Sequence, residues 1–177
     1  MDQYLSKIKT TLITEEEIKA KIVEGAAYID SIYDGRPILL VGILKGSFVF
    51  VADLCRATKV PCQIAFMCAK SYYSGTETSG KVTITMDLDV DITKYHVVIA
   101  EDIIDSGRTL SEVVKILKER NPLSLHVVAL LDKPSRRQVE FKADLTLFTI
   151  EDLFVIGYGL DCAEYYRTLP YIAEYDA

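Results

Sequence analysis

Two runs of this chain cannot be half-exposed strands. Residues 38–44, "ILLVGIL", and residues 125–133, "LHVVALLDK", are apolar through nearly all their length, with no alternation of apolar and polar side chains. A strand of that composition must be covered on both faces, as the central strands of a parallel sheet are. The segments around them have helical spacing. "TEEE" at 14–17 fits a capping box, and Ile18, Ile22, Ala26 and Ile29 then recur every three or four residues. Residues 48–57 predict a second helix, and Leu110, Val113, Val114 and Leu117 mark a third. "DGRP" at 34–37 is a turn. Further strands are predicted at 62–69, at 82–90, in the apolar run from Val97, and at 144–150 and 153–161. Strands alternating with helices predict an α/β fold: a mostly parallel twisted sheet with helices on both faces. No repeat, low-complexity segment or linker divides the sequence, so its 177 residues predict one domain, 1–177.

Composition narrows the function classes. Half of the residues are hydrophobic and the formal net charge is -6, so bulk electrostatics do not favour nucleic acid. The opening "MDQYLSKIKTTL" lacks the apolar core of a signal peptide, and no apolar run is long enough for a membrane helix. Cys55, Cys62, Cys68 and Cys162 form no CxxC pair and have neither zinc nor disulfide spacing. Reduced thiols in a cytoplasmic protein are the expectation.

The chemistry concentrates in "HVVIAEDIIDSGRTL", from His96 to Leu110. A strand runs into adjacent acids, Glu101 and Asp102. A third acid, Asp105, opens the turn Asp105-Ser106-Gly107-Arg108-Thr109, and a helix follows. Free amides at a helix N-terminus make an anion site, Gly107 permits positive φ, and Ser106, Thr109 and Arg108 add donors. A phosphate fits there, although an ordinary strand–helix turn capped by serine has the same composition. The Walker A pattern is absent. Carboxylates beside a bound phosphate would repel it unless a cation or a set of hydroxyls intervenes. Mg2+ or sugar hydroxyls answer that need, and together they suggest a phosphorylated sugar with a metal. Leu44-Lys45-Gly46 also falls at a predicted strand end, so it and the acid turn share the carboxyl edge of the sheet, where ligands bind in such folds.

"VVIAEDIIDSGRTL" resembles the phosphoribosyl-pyrophosphate (PRPP) signature of type I phosphoribosyltransferases. Along nearly its whole length the chain is similar to the hypoxanthine (hypoxanthine-guanine) branch of that family. The resemblance implies the family's sheet with a small hood near the termini. It also implies a mobile closing loop at about 70–81, opened by Ser71 and Tyr72, and a purine-binding C-terminal segment at about 139–177. Leu44, Lys45, Gly46 and Arg167 would face pyrophosphate, and the turn from Asp105 to Thr109 the 5′-phosphate. Glu101 and Asp102 would hold the ribose hydroxyls, directly or through Mg2+, with Asp161 at a second metal site. Lys142 stands at the place of the lysine that reads the purine's exocyclic oxygen, with Phe154 as stacking ring and Val155 binding the base through its backbone.

The implied reaction is Mg2+-dependent transfer of 5-phosphoribosyl from PRPP to N9 of a 6-oxopurine, hypoxanthine or guanine, giving IMP or GMP and pyrophosphate. Asp105 is the candidate general base. The implied assembly is a homodimer or homotetramer, with neither nucleic acid nor membrane as partner. Leu153, where a lysine often stands, and Cys162, where an aromatic is common, depart from the pattern and bear on base preference. Two rivals make different predictions. A nucleic-acid-binding regulator on this fold needs a basic face, for which "KPSRR" at 133–137 and "KILKER" at 115–120 are the strongest runs. A phospho-acceptor domain would use Asp102 or Asp105 and leaves the Ser-Gly-Arg-Thr turn without a role.

Overall fold

Thr14 starts the first helix, α1 (Glu15–Tyr33), by a reciprocal pair of hydrogen bonds. The Glu17 amide donates to Thr14 Oγ1 at 3.2 Å, and the Thr14 amide donates to Glu17 Oε2 at 2.8 Å. Glu15, Glu16 and Glu17 all lie in the first turn, where carboxylates meet the positive end of the helix dipole. The computed structural model describes residues 5–71 and 82–176. Two further α-helices among the described residues are α2 (Phe48–Ala57) and α3 (Arg108–Glu119).

Strands β2 (Ile38–Leu44), β3 (Cys62–Ser71), β4 (Val82–Met86), β5 (His96–Ile104), β6 (Ser124–Asp132) and β7 (Leu145–Thr149) form one sheet in the order β4-β3-β2-β5-β6-β7. Every pairing is parallel except β3 with β4. The central strands divide their side chains between two cores. Ile38 and Leu40 of β2, with Val98 and Ala100 of β5, pack with Ile22 and Ile29 of α1 and Phe50 and Leu54 of α2. Leu39 and Val41, with Val97 and Ile99, pack with Leu110, Val113 and Leu117 of α3. Helices therefore cover both faces, as the unbroken apolar runs require.

The hood is a second sheet that joins the two ends of the chain. β1 (Ile8–Ile13) pairs antiparallel with β9 (Ile172–Tyr175), which also pairs with β8 (Val155–Ile156). Sequence periodicity does not reveal β1 or β9, because both are short and their pairing spans almost the whole chain. The strand expected at 153–161 shrinks to two residues. Gly157, Tyr158 and Gly159 all have positive φ, which no strand tolerates. The strand expected at 82–90 stops at Met86, because Asp87 leaves the ladder to pair with Arg120 at 2.7 and 2.8 Å. Of the closing loop expected at about 70–81, Lys70 and Ser71 end β3, and residues 72–81 lie outside the described residues. Among the described residues no helix is long and apolar enough to cross a membrane.

Replacing Thr14 with Ala removes half of the α1 capping box. The expected cost is about 1 kcal/mol in chemical denaturation, with no change in the properties of the distant cleft.

Candidate active site

Three adjacent parallel strands end at one edge of the sheet, β5 and β6 level with each other and β2 two residues earlier. β2 ends at Leu44, β5 at Ile104 and β6 at Asp132. The first residue past each strand, Lys45, Asp105 and Lys133, lines one open cleft of about 480 Å³. Phe154, Val155, Leu160, Asp161, Glu164 and Arg167 form its opposite wall. A smaller hollow of about 200 Å³ shares Lys45, Gly46, Asp102 and Asp105 and runs to the start of α3, past Glu101, Ser106, Gly107 and Thr109.

The turn expected to hold an anion lines that hollow. Gly107 caps α3 with φ 79, a conformation that favours glycine. The turn is braced from the loop after β6. Arg137 donates to the Asp105 carbonyl at 2.6 Å, and the Gln138 amide donates to the Ser106 carbonyl at 3.0 Å. Arg137 also pairs with Asp132. Arg108 begins α3, but its side chain is not among the walls of the hollow.

Glu101 and Asp102 stand at the last turns of β5. Glu101 is only 9% exposed and its Oε2 has no hydrogen-bond partner. Burial, and then the Asp102 charge beside it, push its carboxyl well above the usual carboxylate range. Burial also pushes Asp102 up to about 6, with the Asp161 charge acting the same way, against amide hydrogen bonds from Asp102 and Ile103 and the charge of Arg167. A buried carboxylate without a partner, beside a second acid, suits a cation. Mg2+ binds one or two carboxylates and fills its remaining positions with water and substrate oxygens. Among the described residues no three acids, histidines or cysteines form a cage from protein groups alone. The acids present thus fit a cation shared with substrate better than a resident structural metal.

The loop after β2 lies close against these acids. The Leu44–Lys45 peptide is cis. A Cβ built on Gly46 would fall 1.7 Å from Asp102 Oδ2, so any side chain there would push the Asp102 carboxylate aside. Gly159, at φ 98, repeats the constraint one layer out, where its Cβ would sit 2.0 Å from the Gly46 carbonyl oxygen. Lys45 Nζ and Arg167 Nη2 both reach Glu164 Oε2, at 3.0 and 3.2 Å. Arg167 also pairs with Asp161 at 2.9 Å. Asp105 forms an ion pair with Arg136 at 2.8 Å, out of line for a hydrogen bond, and Arg136 reaches on to Asp152 at 3.3 Å.

One expected residue is displaced. Lys142 does not reach the cleft. It lines a separate concavity with Lys115, Lys118 and Glu140, beside α3. The lysine that lines the cleft beside Phe154 and Val155 is Lys133. It is 7% exposed, burial lowers its pKa, and it donates to the Leu153 carbonyl at 2.6 Å. Position alone could have found it, since Lys133 directly follows the apolar run 125–131, at the strand edge where ligand groups collect. Phe154, by contrast, stands 49% exposed at the cleft mouth, near Tyr175. The basic run 133–137 is committed internally, with Lys133, Arg136 and Arg137 each holding a partner at this site, so it presents no free basic face.

The Phosphoribosyl transferase domain matches residues 10–163, and the chain belongs to the phosphoribosyltransferase family. Within that family its similarity is to the hypoxanthine branch. It is 51% identical over 165 residues to the hypoxanthine phosphoribosyltransferase of Salmonella typhimurium, covering 92% of this chain and 93% of the relative. A hypoxanthine-guanine phosphoribosyltransferase structure from Bacillus anthracis superposes with TM-score 0.89 at 47% identity, over 94% of this chain and 98% of that one. A hypoxanthine phosphoribosyltransferase from Staphylococcus aureus gives TM-score 0.92 at 42% identity, over 96% and 92% of the two chains.

The raised Asp102 carboxyl has a consequence for stability. Its stabilising proton is fully held below the ordinary value of 3.8 and is lost as pH rises through about 6. Asp102→Asn removes that loss. Urea unfolding without ligand should show the variant gaining about 1–3 kcal/mol over the wild type at pH 8, a gain that disappears by pH 4.

Proposed function

We propose that this chain is a purine salvage enzyme that transfers 5-phosphoribosyl from PRPP to hypoxanthine or guanine, releasing pyrophosphate. The observation that carries the reading is the arrival of Lys45, Asp105 and Lys133 from three neighbouring strand ends in one cleft. Each faces a different part of such a substrate pair. The α3 amides with Ser106, Gly107 and Thr109 hold the 5′-phosphate. Glu101 and Asp102 accept hydrogen bonds from the ribose hydroxyls, and their position fixes the sugar between phosphate and base. Lys45, the Gly46 backbone and Arg167 meet the negative charge that grows on the leaving pyrophosphate. Glu101, Asp102 and Asp161 would hold Mg2+, which when bound neutralises pyrophosphate oxygens as a Lewis acid.

On the base side, Phe154 offers an exposed ring face and Val155 its backbone groups. Lys133, in place of Lys142, donates to the purine's 6-oxygen, releasing the Leu153 carbonyl that it holds without ligand. An ammonium cannot accept from a 6-amino group, so the site selects 6-oxopurines. Asp105 accepts the proton from the N7 side of the purine once Arg136 yields, and its charge favours the cationic ribose. The enzyme acts in the cytoplasm, consistent with four unpaired cysteines. It assembles as a homodimer or homotetramer, to which the exposed Phe48, Ile64 and Met86 offer apolar surface.

The test is turnover of hypoxanthine, guanine, xanthine and adenine with PRPP, with and without Mg2+. Hypoxanthine or guanine should react and adenine should not, and Asp105→Asn should lower kcat by roughly 10²- to 10⁴-fold. Absence of turnover with all four bases would sink the reading. A paired comparison separates the two lysines. Lys133→Met should lower kcat/KM for hypoxanthine by roughly 10- to 100-fold, the value of a hydrogen bond to a charged group, while Lys142→Met leaves it unchanged.

A further inference from the structure

The proposed reading, on which this inference rests, places pyrophosphate against Lys45 and Arg167. A side chain of the protein already occupies that position. Glu164 Oε2 bridges the two cations, 3.0 Å from Lys45 Nζ and 3.2 Å from Arg167 Nη2, so a single anionic oxygen serves both, as a phosphate oxygen would. The local backbone is wound to deliver it. Ala163 and Glu164 have φ of 50 and 69, and the Glu164 amide donates to Asp161 Oδ2 at 2.9 Å. The hydrogen bonds from Lys45 and Arg167 hold the Glu164 carboxyl below its ordinary range, so it is ionised at neutral pH.

We propose that Glu164 is an internal counter-anion that the pyrophosphate group must displace, and that it sets the affinity of the site for pyrophosphate-bearing ligands. Two features make the displacement easy. The Glu164 and Lys45 side chains are each 64% exposed, so their pair is weak and the carboxylate can swing into solvent. Arg167 keeps its place when Glu164 leaves, because it also pairs with Asp161 and donates to the Gly159 carbonyl at 2.8 Å. Without ligand the carboxylate keeps two like charges neutralised. When pyrophosphate is formed it competes for the same donors and hastens release. Glu164 acts through Lys45 and Arg167 and is a positioning residue, outside the reacting atoms.

Titration calorimetry with pyrophosphate and Mg2+ on wild type, Glu164→Gln and Glu164→Ala tests this, with Glu16→Gln on the exposed start of α1 as a control for net charge. Both Glu164 variants should bind pyrophosphate about 3- to 10-fold more tightly, the value of one exposed and one half-exposed ion pair, and the control should not. In steady state the KM for PRPP should fall by a similar factor while the KM for hypoxanthine stays fixed. Unchanged or weaker pyrophosphate binding in variants that melt like wild type would overturn the proposal. If wild type binds no pyrophosphate, the assignment of Lys45 and Arg167 fails first, and this inference with it.

Discussion

Parallel registration of β2, β5 and β6 is the constraint on which the cleft depends. Ile38 pairs with His96 and His96 with Ser124, and the register holds along the strands until Ile104 meets Asp132. Both faces of these strands are buried, so a slip by one residue would turn every apolar side chain to the wrong core. The same slip would carry a strand end away from its neighbours by about 3.3 Å, more than a hydrogen bond can follow. The two hydrophobic cores therefore fix where Lys45, Asp105 and Lys133 leave the sheet, Lys45 two residues before the other two.

Charges gathered at that level pair with one another when no ligand is present. Arg136 bridges Asp105 and Asp152, Lys45 and Arg167 share Glu164, and Lys133 turns to a backbone carbonyl. The ion pairs among these contacts can be exchanged for ones with substrate at low cost, because the cleft is open and most of the paired groups are partly solvated. Glu101 is the exception. It is buried, and its Oε2 has no partner to exchange. The acid pair is thus the part of the site most dependent on what arrives from solution.

Local signals were legible in the residues. The bounds of β2 and α2, the capping box of α1 and the anion turn before α3 all follow from short-range pattern. So do the walls of the cleft from Leu44 to Gly46 and from Glu101 to Thr109, Arg108 apart. What failed was long-range or conformational. Lys142 was placed by linear resemblance, whereas position past a strand end selects Lys133. The segment 153–161 reads as a strand by its apolar residues, yet positive φ at three successive positions folds it into turns. Glu164 carries no signal in sequence, because it reaches Lys45 only through the left-handed bend at 163–164 and a separation of 119 residues.

The stacking of Gly159 on Gly46, and of Gly46 on Asp102, leaves no room for a methyl group in either layer. Segment 153–161 thus rests directly on the loop 44–46, which rests on the Asp102 carboxylate of β5. Specificity and chemistry are not separable modules here. A graft of residues 153–161 from a relative with another base preference would have to bring a matching 44–46 loop. A graft of either piece alone would trade a new preference for a displaced carboxylate.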